Sequence, residues 1–93
     1  MSITSPTHEV EILARTIRPN SADLSEDAAR SLLALQLTAA DRDRVNQLAA
    51  KGREGSLSEQ ERAELDEYER VASLLELLQS KARLSLKRAG LSP

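Results

Sequence analysis

The sequence predicts an all-α protein, a small helical bundle with an N-terminal arm helix and a long C-terminal helix. Apolar residues recur at intervals of three and four, which is the period of an amphipathic helix and not the period of two that marks a strand. Glycine and proline occur only three times each, and they stand at the borders of these periodic segments, where helices end. With 93 residues and sixteen leucines, the chain is long enough for a single domain.

The first periodic segment, residues 7–17, predicts the arm helix. Its apolar stripe consists of Val10, Leu13, Ala14 and Ile17. An alternating strand over the same residues is a weaker alternative. Pro19 disfavours helical geometry at Arg18, so we expect the helix to end at that point. Residues 1–23 therefore form an arm and a linker, and the pattern leaves open whether the arm docks on the rest of the chain or moves freely.

Residues 24–93 are predicted to form a helical domain, with helices at about 26–37, 39–51 and 59–89. Ser25 is a suitable N-cap for the first of these helices, because its hydroxyl can accept a hydrogen bond from an unpaired main-chain N–H. Thr38 and Asp41 resemble a capping box at the start of the second helix. Gly52 is expected to end that helix in the left-handed conformation.

The last helix is predicted to be long and unbroken. Ser58 and Glu61 form a capping box at its start, and no glycine or proline follows until Gly90. A helix over residues 59–89 would measure about 46 Å. Its apolar seam has steps of three and four and runs through Leu65, Tyr68, Ala72, Leu75, Gln79, Ala82, Leu86 and Ala89.

This seam is wide near its middle, where Leu78 and neighbouring leucines extend it. Either the short helices of the same chain cover the seam, or a second molecule does. Gln79 is a polar residue within the seam, and it can be interpreted in two ways: as a buried amide that fixes the register of an oligomer, or as a seam-edge residue that reaches solvent.

The charges of the long helix are separated along its length. Residues 59–70 contain six acidic and two basic side chains, a net charge of −4. In residues 81–93 every charged side chain is basic. The four bases are Lys81, Arg83, Lys87 and Arg88. Compensation of the helix dipole explains the charges in the terminal turns but fades within one turn. The separation therefore predicts an antiparallel homodimer, or an acidic partner at the basic end.

The composition excludes several function classes. Without cysteine and with His8 as the one histidine, the usual nucleophile–base pairs and sulfur-ligated metal sites cannot be built, so we expect neither catalysis nor a cofactor or metal. A net charge of −2 and a single aromatic residue argue against nucleic-acid binding, which stays a weak alternative through the basic C-terminus. The first residues show no export signal and no segment suits a membrane span, so we expect a cytoplasmic protein.

Three stretches resemble a family of short all-helical bacterial proteins whose function is not established. They are the LSEDAAR segment at 24–30, REGSLSEQERAELDEY at 53–68 and LLQSKARLSLKRAG at 77–90. Members of this family are commonly encoded beside small endonucleases of the HNH type. The resemblance implies an antitoxin-like or accessory role, with such a nuclease as the partner.

The function that the sequence predicts is that of a non-catalytic protein–protein interaction module. The residues expected to carry the interaction are Leu65, Tyr68, Ala72, Leu75, Leu78, Gln79, Lys81, Arg83, Lys87 and Arg88. The leucines would supply buried area, and the bases would steer an acidic partner. Tyr68 is the best hot-spot candidate by residue type, although an ordinary core tyrosine is an equal alternative. A homo-oligomeric structural protein is the second interpretation, and a nucleic-acid accessory factor the third.

Overall fold

A computed structural model describes residues 6–93 of the chain and contains four helices in that part. The helices are α1 (Pro6–Ile17), α2 (Glu26–Leu33), α3 (Ala39–Arg53) and α4 (Glu59–Arg88), and the described residues contain no strand. The all-α prediction with a short N-terminal helix and a long C-terminal helix is confirmed. Residues 1–5, which belong to the predicted arm and to the N-terminal segment expected to lack an export signal, lie outside the described residues.

α1 ends at Ile17, as Pro19 predicts. Arg18 adopts a left-handed conformation with φ of 53°, which a residue without a glycine's freedom rarely takes. Its main-chain N–H still donates to the Ala14 carbonyl at 2.9 Å, and its own carbonyl accepts from Ser21 N–H at 2.9 Å. The chain therefore reverses sharply between the helix and the linker.

α2 begins as predicted but ends four residues early. The Ser25 hydroxyl accepts from Ala28 N–H at 3.2 Å, so the expected N-cap is confirmed. The helix was expected to reach residue 37, but it ends at Leu33. The reason is a contact distant in sequence: the side-chain amide of Gln79 donates to the carbonyls of Leu32 and Leu35, which satisfies these groups where the chain leaves the helix.

α3 also begins at its predicted cap, since the Thr38 hydroxyl accepts from Asp41 N–H at 3.1 Å. It ends at Arg53, two residues later than predicted. Gly52 lies inside the helix, and the expectation that it ends the helix is wrong. Gly55, with φ of 72°, takes the left-handed position instead, and Ser56 N–H donates to the Lys51 carbonyl at 2.9 Å in a Schellman motif.

α4 is a single helix of 30 residues, about 45 Å long. The capping box at its start is confirmed in both directions: Glu61 N–H donates to the Ser58 hydroxyl at 3.0 Å, and Ser58 N–H donates to the Glu61 carboxylate at 2.9 Å. Its last turn closes at Gly90, whose φ is 77°, and Leu91 N–H donates to the Leu86 carbonyl at 2.8 Å. This second Schellman motif turns the chain back toward α4.

The contacts divide the chain into two units, each of which takes part of α4. One unit contains α1, α2 and Ala72–Pro93. Its core is small: Ala29, Ala82 and Leu86 are buried, and four partly buried leucines pack against them, namely Leu24, Leu32, Leu33 and Leu91. In the same unit the hydroxyl of Ser85 accepts a hydrogen bond from Leu24 N–H at 3.2 Å.

The other unit, Gln36–Val71, contains α3 and the first turns of α4. Leu48 is the one fully buried apolar side chain that the structure describes in this unit. Polar contacts supplement this thin core. Arg44 forms a bidentate pair with Glu64 at 2.8 Å for both hydrogen bonds, and the Lys51 ammonium donates to Glu61. Two helices are thus joined by Leu48 and by ion pairs at the partly exposed border of the contact.

Candidate protein-interaction surface

The last turns of α4 form one wall of a shallow groove of about 510 Å³, within the unit that contains α1 and α2. The groove is lined by Ser80, Arg83, Leu84, Lys87, Leu91, Ser92 and Pro93, and we call these residues the C-terminal groove. Four of them lie at steps of four, three and four along the chain, namely Ser80, Leu84, Lys87 and Leu91. The groove thus follows one face of the helix and continues onto the segment after it.

The Schellman motif after α4 builds the second wall. Because Gly90 adopts a left-handed conformation, Leu91 packs back on the buried cluster instead of extending into solvent. Ser92 and Pro93 follow it along the groove. A substitution at Gly90 would strain this turn, since φ of 77° is unfavourable for a residue with a Cβ.

Two cations remain exposed at this end of the helix. Lys87 and Arg88 are exposed, and neither forms an ion pair with the residues that the structure describes. Arg83 is exposed as well, but its guanidinium donates to Glu76 at 2.8 Å and to the Ser80 hydroxyl at 3.2 Å. The rim of the groove therefore carries positive charge beside the apolar side chains of Leu84 and Leu91.

Lys81 does not belong to this exposed surface, although the sequence grouped it with the other bases. It is 8% exposed, and its ammonium donates to the Ile17 carbonyl and pairs with Asp23, both at 2.7 Å. The hydrogen bond from Lys81 lowers the pKa of Asp23 below its usual value. The prediction that Lys81 steers an acidic partner does not fit this position, because its charge is neutralised within the chain.

The contacts of Gln79 match neither a register-fixing amide of an oligomer nor a seam-edge residue that only reaches solvent. Its amide is half-buried and donates to Leu32 O at 3.2 Å and to Leu35 O at 2.8 Å. Both carbonyls lie at the C-terminal end of α2, where main-chain acceptors lack helical partners. Within this chain Gln79 is therefore a side-chain cap on a neighbouring helix.

Tyr68 lies in the Gln36–Val71 unit and contacts α3. Its hydroxyl donates to Asp41 at 2.7 Å, and this hydrogen bond to a carboxylate raises the pKa of the phenol above its usual value. Asp41 accepts at its other oxygen from the Thr38 hydroxyl at 3.0 Å. Tyr68 thus ties the start of α3 to α4, which is the role of an ordinary intramolecular tyrosine.

The remaining seam residues are divided between the two units. Leu65 is half-buried in the Gln36–Val71 unit, whereas Leu75 and Leu78 are half-buried in the other unit. Ala72 is exposed, and Val71 beside it is 49% exposed, so the helix is not buried on most sides at this point. Of the ten predicted residues, the structure brings only Arg83 and Lys87 together in the groove.

Sequence reasoning missed the apolar part of the groove. Leu84 follows Ser80 by four residues, on a face where the sequence pattern is dominated by charged residues. Leu91 could have been found from Gly90, because a glycine after a helix is often followed by an apolar residue that folds back on the last turns. Ser92 and Pro93 carry no comparable signal.

The described residues contain no arrangement that suits a catalytic metal. No group of three or more histidine, cysteine, aspartate or glutamate side chains among them could hold an ion. Glu61 is held by Lys51 and by Ser58, which lower its pKa to about 2, and Arg44 lowers the pKa of Glu64. His8 is exposed on α1. None of the helices described from residue 6 onward is long and apolar enough to span a membrane.

Comparisons with protein-family models, with curated proteins and with solved structures find no significant match to this chain.

Proposed function

We propose that this chain is a non-catalytic protein-binding module and that the C-terminal groove is its binding surface. One observation carries the proposal: Lys87 and Arg88 are exposed without an ion pair in the described part of the chain, next to the apolar groove residues Leu84 and Leu91. Exposed bases with a leucine-lined depression favour a partner that offers acidic and apolar side chains together.

The two kinds of residue serve different steps of binding. Exposed charges at the rim of an interface accelerate association and make it sensitive to salt, but they add little to final affinity. Leu84 and Leu91 supply apolar area that is removed from water in the complex, at about 25 cal/mol per Å². We therefore expect association to slow with ionic strength, because the Debye length falls from about 10 Å at 0.1 M salt to about 3 Å at 1 M.

The resemblance of residues 24–90 to proteins encoded beside HNH-type endonucleases supports a nuclease as the partner. In this proposal the chain has an antitoxin-like or accessory role: it binds the nuclease through the groove and modulates its activity without chemistry of its own. The cytoplasm is the compartment that this role requires. A gene for such a nuclease beside the gene for this chain is the first requirement, and its absence would contradict this identity of the partner.

A calorimetric titration tests the proposal. The proposed partner, an HNH-type endonuclease with its catalytic histidine replaced, is titrated with the wild-type chain and with the double variant Lys87→Glu, Arg88→Glu. We expect the wild type to bind and the double variant to bind at least tenfold more weakly, because the reversed charges repel the acidic side chains of the partner, a penalty beyond the loss of a rim charge.

The control is the double variant Arg42→Glu, Arg62→Glu. Both residues are exposed and lie in the first turns of α3 and α4, where acidic residues suit the helix dipole. The net charge changes by the same amount as in the groove variant, so a general charge effect would weaken both. Equal loss in the two variants, or no binding by the wild type, would contradict the proposal.

Self-association is the second candidate, and the separated charges of α4 favour it. Glu61 and Glu64 are paired with bases of α3, but Glu59, Glu67 and Glu69 are exposed on the acidic part of the helix. An antiparallel pair of α4 helices would place these acids opposite Lys87 and Arg88 of a second copy. Sedimentation equilibrium decides between the candidates: a monomer at high micromolar concentration in both low and high salt excludes the homodimer.

A further inference from the structure

α1 lies outside the core of its own unit. The buried cluster of Ala29, Ala82 and Leu86 receives partly buried leucines from α2, from the linker at Leu24 and from the C-terminal segment at Leu91, but none from α1. None of the side chains described in α1, from residue 8 to Ile17, is fully buried, and Ile12 is 50% exposed. Its apolar stripe, Val10, Leu13, Ala14 and Ile17, is half-buried, so α1 packs at the periphery of the fold and not in its core.

A polar contact fastens the C-terminal end of α1 to α4. The Lys81 ammonium donates to the carbonyl of Ile17, the last residue of α1, and pairs with Asp23 in the linker, both at 2.7 Å. Arg18 adds a longer pair to Asp23 at 3.5 Å, on the surface. Lys81 is nearly buried, whereas Asp23 is half exposed, so water reaches this contact only from the side of the carboxylate.

The chain between α1 and α2 has the properties of a hinge. Arg18 takes a left-handed conformation, which is unfavourable for a residue with a Cβ and persists only while surrounding contacts hold it. Release of α1 would let Arg18 relax to the extended conformation that a residue before proline prefers. The strain at Arg18 thus favours release of α1, whereas the contact with Lys81 holds α1 in place.

We propose that α1 is a releasable arm, fastened by Lys81 and hinged at Arg18, which separates from the body while the core of α2 and α4 stays folded. A released helix of 12 residues is too short to be stable in water and melts. Release frees the ammonium of Lys81 from its two internal acceptors and thereby adds a cation to α4. This inference is independent of the proposed partner, because it concerns contacts within the chain alone.

Hydrogen–deuterium exchange tests the inference on the whole chain. In Lys81→Met the unbranched stem is kept and the ammonium is lost. We expect amides of residues 9–17 to exchange at least tenfold faster than in the wild type, and amides of α2 and of residues 82–86 to stay within twofold. Lys87→Met is the matched control, because Lys87 is an exposed lysine of the same helix, and it should change neither group.

Asp23→Asn is the second variant, since Asp23 is exposed and its replacement does not place a new side chain in the interior. It should accelerate exchange in residues 9–17 by at least threefold without affecting α2. If Lys81→Met unfolds all helices, exchange in Asp23→Asn decides whether α1 is released separately from α2. Unchanged protection of α1 in Asp23→Asn, or equal acceleration of α1 and α2 in either folded variant, would overturn the proposal.

Discussion

Gln79 caps the end of α2 through two hydrogen bonds, and its replacement by glutamate tests this role. A carboxylate cannot donate at neutral pH, so Gln79→Glu loses both bonds while it keeps the size of the side chain. Each hydrogen bond contributes about 0.5–1.5 kcal/mol. Leu32 O keeps a main-chain donor, Leu35 N–H at 3.2 Å, and Leu35 is half exposed, so the lower part of this range applies and the two bonds total about 1–2 kcal/mol.

The added negative charge increases the loss. It faces the C-terminal end of α2, where the helix dipole is negative, at a cost of about 0.3–1 kcal/mol. The free energy of unfolding should therefore fall by about 1.3–3 kcal/mol, and Tm by roughly 5–24 °C for a domain of this size. Gln79→Lys, which keeps donors and adds a favourable charge, should stay close to the wild type.

Urea denaturation followed by far-ultraviolet circular dichroism measures these differences. The control is Gln60→Glu, because Gln60 is exposed in the first turn of α4, where an acid suits the dipole. A Gln79→Glu variant as stable as the wild type would refute the capping role. So would a Gln79→Leu variant that is more stable than the wild type but changes its oligomeric state, because that result is what the register interpretation predicts.

Three further predictions follow from the Gln36–Val71 unit. Leu48→Ala should lower the free energy of unfolding, measured by thermal denaturation, by about 2–5 kcal/mol, because Leu48 is fully buried. Leu35→Ala is the control and should lower it far less, because Leu35 is half exposed. Glu61 has a pKa of about 2 against an ordinary value of 4.5, so the stability that it contributes is complete above pH 4.5 and is lost as pH falls toward 2. Glu61→Gln should therefore reduce the dependence of the free energy of unfolding on pH between these two values. An unchanged dependence would contradict this prediction. The Tyr68 phenol should titrate above its ordinary value of 10 by ultraviolet absorbance and return toward 10 in Asp41→Asn, and identical curves would exclude the hydrogen bond to Asp41.

Features that depend on neighbouring residues were predictable from the sequence. Ser25, Thr38 and Ser58 cap their helices because each hydroxyl reaches an N–H only three residues away. The continuity of α4 follows from the lack of glycine and proline between the capping box and Gly90. These local rules settled the fold class and three of the four helix starts.

Features that depend on distant residues were not predictable. The early end of α2 is set by Gln79, more than forty residues further along the chain. Lys81 stands in the same basic part of α4 as Arg83, Lys87 and Arg88, and its contacts with Ile17, 64 residues away, and with Asp23 distinguish it from them. A pattern of charge shows which residues prefer solvent on average, but it does not show which of them another segment will cover.

Site-specific photo-crosslinking tests most directly whether the C-terminal groove is the binding surface. A photoreactive phenylalanine analogue is placed at Lys87, in the groove, or at Arg42, an exposed base on α3, and each chain is irradiated with the proposed partner, an HNH-type endonuclease. We predict a crosslinked complex from position 87, weakened in high salt, and none from position 42. Crosslinks from position 42 alone, or dimers of the chain itself as the one product, would contradict the proposed function.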